Sequence, residues 1–216
     1  MSLTLLFDLD GTLTDSAPGI VRCIAHALEV HGLPPVSEAR MRACVGPPLH
    51  DSFRELSGGE DQVESLVAAY RDRYVDVGMF ENVVYGGVEA LLDGLLDRGI
   101  ALHVVTAKPE VYAEQVLDHF GLRTRFGAVF GPELEGSHRS KVELVEAACA
   151  ALDLDRSGAA MIGDRGVDMS AARVHEIAAW GVRWGYGSDA ELQAAGAQLL
   201  LDAPHDVLAC VAQMAG

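Results

Sequence analysis

The chain opens on a short apolar run, Leu3 to Phe7, that breaks at the acidic, glycine-containing stretch D-L-D-G-T-L-T-D, Asp8 to Asp15. This pattern predicts a buried strand followed by a tight turn. Pro18 then opens a segment with Ile20, Ile24 and Leu28 on one helical face, and Gly32 stops it. From there to about Tyr85 the periodicity stays helical: one short piece over 37–43, a second over 49–56, and a third whose apolar stripe is Val63, Leu66, Val67, Tyr70 and Tyr74. Gly46-Pro47-Pro48 and Gly58-Gly59 separate them. After Gly86-Gly87 the pattern alternates. Helices are predicted over 88–98, 110–120 and 141–152, strands over 100–105, 128–130, 159–162 and 177–182, a short helix after 162, and a last strand and helix near Leu199 and Val207.

Alternation of this kind implies a parallel sheet with helices on both faces. The expected fold is therefore α/β, a Rossmann-like three-layer core. That core is discontinuous, 1–15 and 86–216, and an all-helical domain over 16–85 is inserted after its first strand. No internal repeat or low-complexity segment interrupts the pattern.

Composition narrows the class. Half of the 216 residues are apolar and 22% are charged, which excludes intrinsic disorder and allows one large domain or a core with a modest insertion. The four cysteines, Cys23, Cys44, Cys149 and Cys210, are too far apart for a C-x-x-C pair, which argues against a disulfide scaffold and a common zinc site and fits a reducing cytosol. No apolar run approaches the ~18 residues of a membrane helix. The start of the chain has no cationic region and Asp8 cuts its apolar stretch, so no signal peptide is expected and a cytoplasmic protein is. Thirty-two acidic against sixteen basic side chains give a formal charge of −16, which repels nucleic acid and anionic membranes. Fourteen of the basic residues are arginines. The only lysines are Lys108 and Lys141.

In an open parallel sheet, function gathers beyond the carboxyl ends of the strands. Asp8 and Asp10 follow the first strand, Thr106 ends the strand over 100–105, Asp164 ends the strand over 159–162 with Asp168 four residues on, and Lys141 opens the preceding helix. If these strands are neighbours, several carboxylates converge. Such a cluster calls for a hard cation, Mg²⁺, with Lys141 as further compensation. It suits phosphoryl transfer: one aspartate attacks phosphorus in line, a second carboxylate shuttles the leaving-group proton, and the metal neutralises phosphate oxygens. The hydroxyl of Thr106 can hold one phosphoryl oxygen and the N–H groups of the turn around Gly11 and Thr12 others. Ala107 and Lys108, next in line after Thr106, complete the candidate phosphate-binding positions. A compact ammonium fits a crowded carboxylate site better than a planar guanidinium. That favours Lys141, and with less force Lys108.

The motifs D-L-D-G-T-L-T-D, V-V-T-A-K-P, Lys141 and G-D-R-G-V-D, in that order, resemble the haloacid dehalogenase superfamily over essentially the whole chain. The resemblance implies Asp8 as nucleophile, Asp10 as general acid and base, Thr106 as phosphate ligand, Lys141 as charge neutraliser, and Asp164, with Asp8 and Asp10, at the metal. It implies Asp168 as the outer acidic residue that orients a metal-bound water or Lys141. The inserted helices look like the cap of the phosphoglycolate phosphatase branch. V-G-P-P-L (45–49), H-R-S-K (138–141) and W-G-Y-G-S (184–188) look closest to its phosphoglycolate phosphatase or 5′-nucleotidase-like members. The expected substrate is a small phosphorylated metabolite.

Several features keep two readings. Arg40, Arg42, His50 and Arg54 outnumber Asp51 locally, so Arg42 and Arg54 either face an anionic substrate or belong to a solvated helix face. The glycines of W-G-Y-G-S serve loop geometry or a phosphate contact. Cys44 reads as a small apolar filler and the histidines, which lack ligand spacing, as surface or capping residues. Among functions, a dehalogenase would need neither Asp10 nor a metal. A phospho-accepting receiver shares the acidic cluster, Thr and Lys but is shorter and has no inserted domain. A phosphomutase would differ mainly in excluding water from the acyl phosphate.

Overall fold

In the computed structural model, residues 3–46, 49–134 and 139–214 are described; Pro47, Pro48 and His138, which belong to two of the motifs above, lie outside them. The chain forms two compact units, 1–15 with 84–216, and 16–83.

The first unit is built on strand β1 (Thr4–Phe7), with the two-residue strand β2 (Thr14–Asp15) at the exit of the chain and β3 (Val83–Val84) at its return. Then follow α5 (Val88–Leu96), β4 (Ala101–Val105), α6 (Glu110–His119), β5 (Ala128–Phe130), α7 (Lys141–Ala151), β6 (Ala159–Gly163), α8 (Gly166–Val174), β7 (Ala178–Val182), α9 (Asp189–Ala195), β8 (Leu199–Leu201) and α10 (Pro204–Met214). The six longer strands make one sheet in the order β5-β4-β1-β6-β7-β8, every pairing parallel. β1 sits in its middle because T-L-L-F can be buried on both faces, and Leu5 and Leu6 are wholly inaccessible. Full burial of such a side chain contributes about 1.5–3 kcal/mol. On one face Leu6, Val105, Met161 and Ala179 pack with Leu144, Val145 and Ala148 of α7 and Met169 and Ala172 of α8. On the other, α5 packs on β4 and against α10.

The order places the functional residues. From β1 the chain builds outward through β4 and β5, then returns to place β6 on β1's other side, so the direction of winding reverses between β1 and β6. That crevice is the expected ligand site of an open α/β sheet. In register, Phe7 lies beside Val104 and beside Ile162, so the next residues of β1 leave the sheet level with the ends of β4 and β6.

The second unit, 16–83, holds α1 (Ala17–Val30), α2 (Glu38–Arg42), α3 (Leu49–Ser57) and α4 (Val63–Asp76). Its core joins Ile24 and Leu28 of α1 to Phe53 of α3 and to Leu66, Val67, Tyr70 and Tyr74 of α4. The Phe53 and Tyr70 rings meet edge to face at 6.1 Å.

The domain boundary and one helix differ from the sequence reading, and several element ends shift by one or two residues. The core resumes at Val84 rather than Gly86, because the Tyr85 N–H already donates to the Leu13 carbonyl at 3.1 Å. Helix α9, which the hydrophobic pattern does not single out, buries only Leu192 and so has no stripe to read; its local signal is the N-cap, where the Ser188 hydroxyl accepts from the Glu191 N–H. Among the described residues, no helix is long and apolar enough to cross a membrane. All four cysteines are free thiols.

Candidate active site

Asp8 is the first residue beyond β1, and its N–H still donates to the Ile162 carbonyl of β6 at 2.9 Å. Its carboxylate has a defined orientation. Oδ1 accepts from the Leu9 N–H at 2.8 Å and lies 3.0 Å from Lys141 Nζ, whereas no donor among the described residues is placed on Oδ2.

Lys141 reaches this point because Ser140 and Glu143 form a reciprocal capping box that starts α7 there. Its Nζ makes three contacts: Asp8 Oδ1 at 3.0 Å, Asp168 Oδ1 at 2.9 Å and the Val105 carbonyl at 3.0 Å. The first two are ion pairs and the third is a hydrogen bond, so one compact charge sits between two carboxylates. Although burial works against its charge, the two aspartates hold the lysine well above its usual range. Asp168, fully buried, is fixed from the other side by the Arg165 N–H on Oδ2 at 3.1 Å. It therefore lies between the Arg165 N–H and the Lys141 ammonium.

Asp164 follows β6 and is also wholly buried. Oδ1 accepts from the Thr12 hydroxyl at 3.2 Å and Oδ2 from the Tyr186 N–H at 2.8 Å. Asp8, Asp164 and Asp168 each bring a carboxylate oxygen within 4.8 Å of the others. Burial, and then the neighbouring carboxylates, push Asp164 up to about 7. Burial also raises Asp8, to about 6, outweighing Lys141. Three carboxylates against one lysine leave two negative charges uncompensated, and every donor is a hard oxygen. A hard divalent cation fits this set.

Asp10 does not join the cluster. Its Oδ1 accepts from Lys108 Nζ at 2.8 Å, so the chain's two lysines serve the two aspartates of the D-x-D motif, one each. Thr106, at the end of β4, is buried; its N–H donates to the Phe130 carbonyl and its Oγ1 accepts from the Lys108 N–H at 3.2 Å, which leaves its hydroxyl proton to donate. Ala107, beside it, is exposed.

The amides of Gly11 and Thr12 are not the donors the sequence suggests. Gly11 N–H is taken by the Thr14 carbonyl at 2.7 Å and Thr12 N–H by the Leu9 carbonyl at 3.3 Å. Gly11 serves close packing instead: at φ +85° it faces Asp164, whose Oδ2 would lie 2.3 Å from an added Cβ.

Sequence reasoning did not find the role of residues 184–187. This loop lies on the site, with Trp184 Nε1–H donating to the Thr12 carbonyl at 3.0 Å, the Tyr186 N–H on Asp164, and the Tyr186 hydroxyl on Asp15 Oδ1 at 2.9 Å. A side chain at Gly187 would meet the Asp164 carbonyl oxygen at 1.9 Å. Tyr85, bonded to Tyr186, has its hydroxyl pushed up by burial and by the charges of Asp15, Asp164 and Asp10, so it stays protonated. The W-G-Y-G spelling is the signal that could have pointed here.

Arg42 and Arg54 belong to the other unit, where each has acidic partners. Arg42 Nε donates to Glu38 at 2.9 Å, and Arg54 pairs with Asp51 and Glu60. Arg40 and His50 pair likewise, with Glu55 and Glu64. The local excess of positive charge is thus matched by carboxylates from neighbouring segments.

Residues 5–182 match the model of the haloacid dehalogenase-like hydrolase family. The chain is 39% identical over 191 residues to a 5′-nucleotidase of Pseudomonas aeruginosa, covering 88% of this chain and 86% of that one. It is 40% identical over 183 residues to the tyrosine-protein kinase PtkA of Mycobacterium tuberculosis, covering 85% of this chain and 62% of PtkA, so it spans less than two thirds of that relative. The crystal structure of a predicted phosphatase from Clostridium acetobutylicum has the same fold at a TM-score of 0.88, with 37% identity and 99% of both chains covered.

Proposed function

The chain belongs to the haloacid dehalogenase-like hydrolase family and is a phosphatase within it; on that premise we propose that it hydrolyses a small phosphomonoester through an aspartyl phosphate on Asp8, with Mg²⁺ as cofactor. The observation that carries the reading is the carboxylate of Asp8. Leu9 N–H and Lys141 both hold Oδ1, which leaves Oδ2 as the nucleophilic atom in a site built around buried carboxylates.

In the first step Asp8 Oδ2 forms a bond to phosphorus and the bond to the ester oxygen breaks, while protonated Asp10 gives its proton to the leaving oxygen. The products are an alcohol and the acyl phosphate. In the second, Asp10 as carboxylate takes a proton from water, the water oxygen bonds to phosphorus, and the bond to Asp8 breaks, restoring the enzyme and releasing phosphate. Lys108 holds Asp10 in place for both transfers, and the Thr106 hydroxyl donates to a phosphoryl oxygen. Lys141 stays bound to Asp8 and Asp168, so one compact charge faces the reacting carboxylate throughout. Mg²⁺ held by the carboxylates of Asp8, Asp164 and Asp168 would neutralise phosphoryl charge when bound.

The helical unit is the cap in this reading, with Arg42 and Arg54 as its candidates for an anionic substrate. Phosphoglycolate and nucleoside monophosphates are the substrate classes favoured by the W-G-Y-G-S and V-G-P-P-L motifs and by the similarity to a 5′-nucleotidase. A cytoplasmic location fits the four free thiols.

The test is phosphate release from phosphoglycolate, nucleoside monophosphates and sugar phosphates with Mg²⁺, beside a mixture in which ATP is the donor and a tyrosine peptide the acceptor. Mg²⁺-dependent release that vanishes in Asp8→Asn supports the proposal. Transfer to the peptide without release to water refutes it, and so does full activity in excess chelator.

A further inference from the structure

Tyr186 makes two connections that meet in one residue. Its main-chain N–H holds Oδ2 of Asp164, and its hydroxyl holds Oδ1 of Asp15. Asp15 is the last residue of the first unit before the chain enters the helical unit, and Tyr85, also bonded to Tyr186, is the second after its return. The backbone around Tyr186 has little freedom, because Gly185 and Gly187 lie against Asp164 so closely that a Cβ at either position would fall 2.3 or 1.9 Å from its atoms. A displacement of the Tyr186 ring is therefore passed to the amide that fixes the Asp164 carboxylate.

We propose that Tyr186 is a positioning residue that couples the cation-binding carboxylate Asp164 to the crossing of the chain at Asp15. The inference rests on the reading of Asp8, Asp164 and Asp168 as the cation site. It adds Tyr186, which lies outside the motifs that define that site, gives a role to Asp15 at the end of the first of them, and makes the crossing and the cation thermodynamically linked. Linkage is reciprocal: if the Asp15 contact steadies Asp164 for the cation, a bound cation must steady the crossing. Partners that orient a ligand without touching the metal typically change affinity about 10–100-fold when removed. Tyr186→Phe deletes only the hydroxyl and keeps the main-chain bond to Asp164, so the lower end, about tenfold, is expected.

The experiment measures Mn²⁺ binding to the full chain by electron paramagnetic resonance, without substrate, for wild type, Tyr186→Phe, Asp15→Ala and the double variant. Hydrogen exchange across the segments 13–16 and 84–86 is followed with and without Mn²⁺. The proposal expects about tenfold weaker binding in each single variant, a double variant no weaker than the worse single one, and cation-induced protection of the two segments in wild type that is lost in Tyr186→Phe. Wild-type affinity in both single variants, or losses that multiply in the double variant, would overturn it. Should Tyr186→Phe fail to fold, Asp15→Ala alone decides by the same two readouts. A wild-type chain that binds no Mn²⁺ overturns the cation reading itself, before any variant is compared.

Discussion

Asp164→Asn should make the cation-free protein more stable while removing its response to Mg²⁺. Asp164 is wholly buried, and burial together with Asp8 and Asp168 moves its midpoint from 3.8 to about 7. A carboxyl raised on folding is tolerated fully below its unfolded value. Stability is then lost as pH rises, because the unfolded chain ionises first, and the loss is complete above the folded value. The window therefore runs from about pH 4 to about pH 7. A shift of this size corresponds to ~4 kcal/mol at most. Part of it is mutual repulsion shared with Asp8, whose own carboxyl is raised on folding, so ~2 kcal/mol is expected at pH 8. The amide is isosteric and keeps both partners, since its oxygen accepts from the Tyr186 N–H and its nitrogen can donate to the Thr12 hydroxyl. For a chain of this length ~2 kcal/mol raises the melting temperature by roughly 4–8 °C. Thermal unfolding in chelator at pH 4 and pH 8, then at pH 8 with Mg²⁺, supplies the comparison. The variant should match wild type at pH 4, exceed it at pH 8, and gain little from Mg²⁺. A variant no more stable than wild type at pH 8 in chelator would refute the claim that carboxylate crowding destabilises the cation-free site.

Lys141→Arg should fold yet lose two or more powers of ten in kcat, about 3 kcal/mol, because a planar fork cannot place one charge among Asp8, Asp168 and the Val105 carbonyl; a rate within about threefold of wild type at saturating Mg²⁺ would contradict this. Asp10→Asn should slow alkyl phosphates more than aryl phosphates, whose leaving groups need little protonation, and should slow breakdown of the acyl phosphate; equal loss on both without slower breakdown counts against the double role. Arg42→Ala and Arg54→Ala should raise KM for an anionic natural substrate and leave a small aryl phosphate nearly unchanged, and steady-state kinetics on both substrates decides. No change with either would leave these arginines to their carboxylates Glu38, Asp51 and Glu60.

The elements that position the site were legible where burial leaves a simple mark. β1 and β6 are continuous apolar runs that end on Asp8 and on Gly163-Asp164, and strands buried on both faces read that way. Lys141 stood out by its rarity and by its place before β6. What remained hidden depends on strand order and on contacts across long separations. Nothing local to Lys108 says that it meets Asp10, 98 residues earlier. Gly11 looked like a phosphate cradle because a turn amide near an acidic motif usually has a free N–H, but Thr14 closes this one. The glycines around Tyr186 are required by the side chain and the carbonyl of Asp164, earlier in the chain, and W-G-Y-G alone does not name it. The arginines of α2 and α3 look like an excess because their partners Glu38, Glu55 and Glu60 lie outside the stretch 39–54 that holds them.

The central claim is that phosphorus is transferred twice, first to Asp8 and then to water. The direct measurement is the configuration at phosphorus after hydrolysis of a phosphorothioate monoester made chiral with one heavy oxygen isotope, run with Mg²⁺ in water carrying the other, so that the thiophosphate released is itself chiral. Two in-line displacements predict retention. Inversion would mean that water attacks the substrate directly, and would contradict a nucleophilic Asp8.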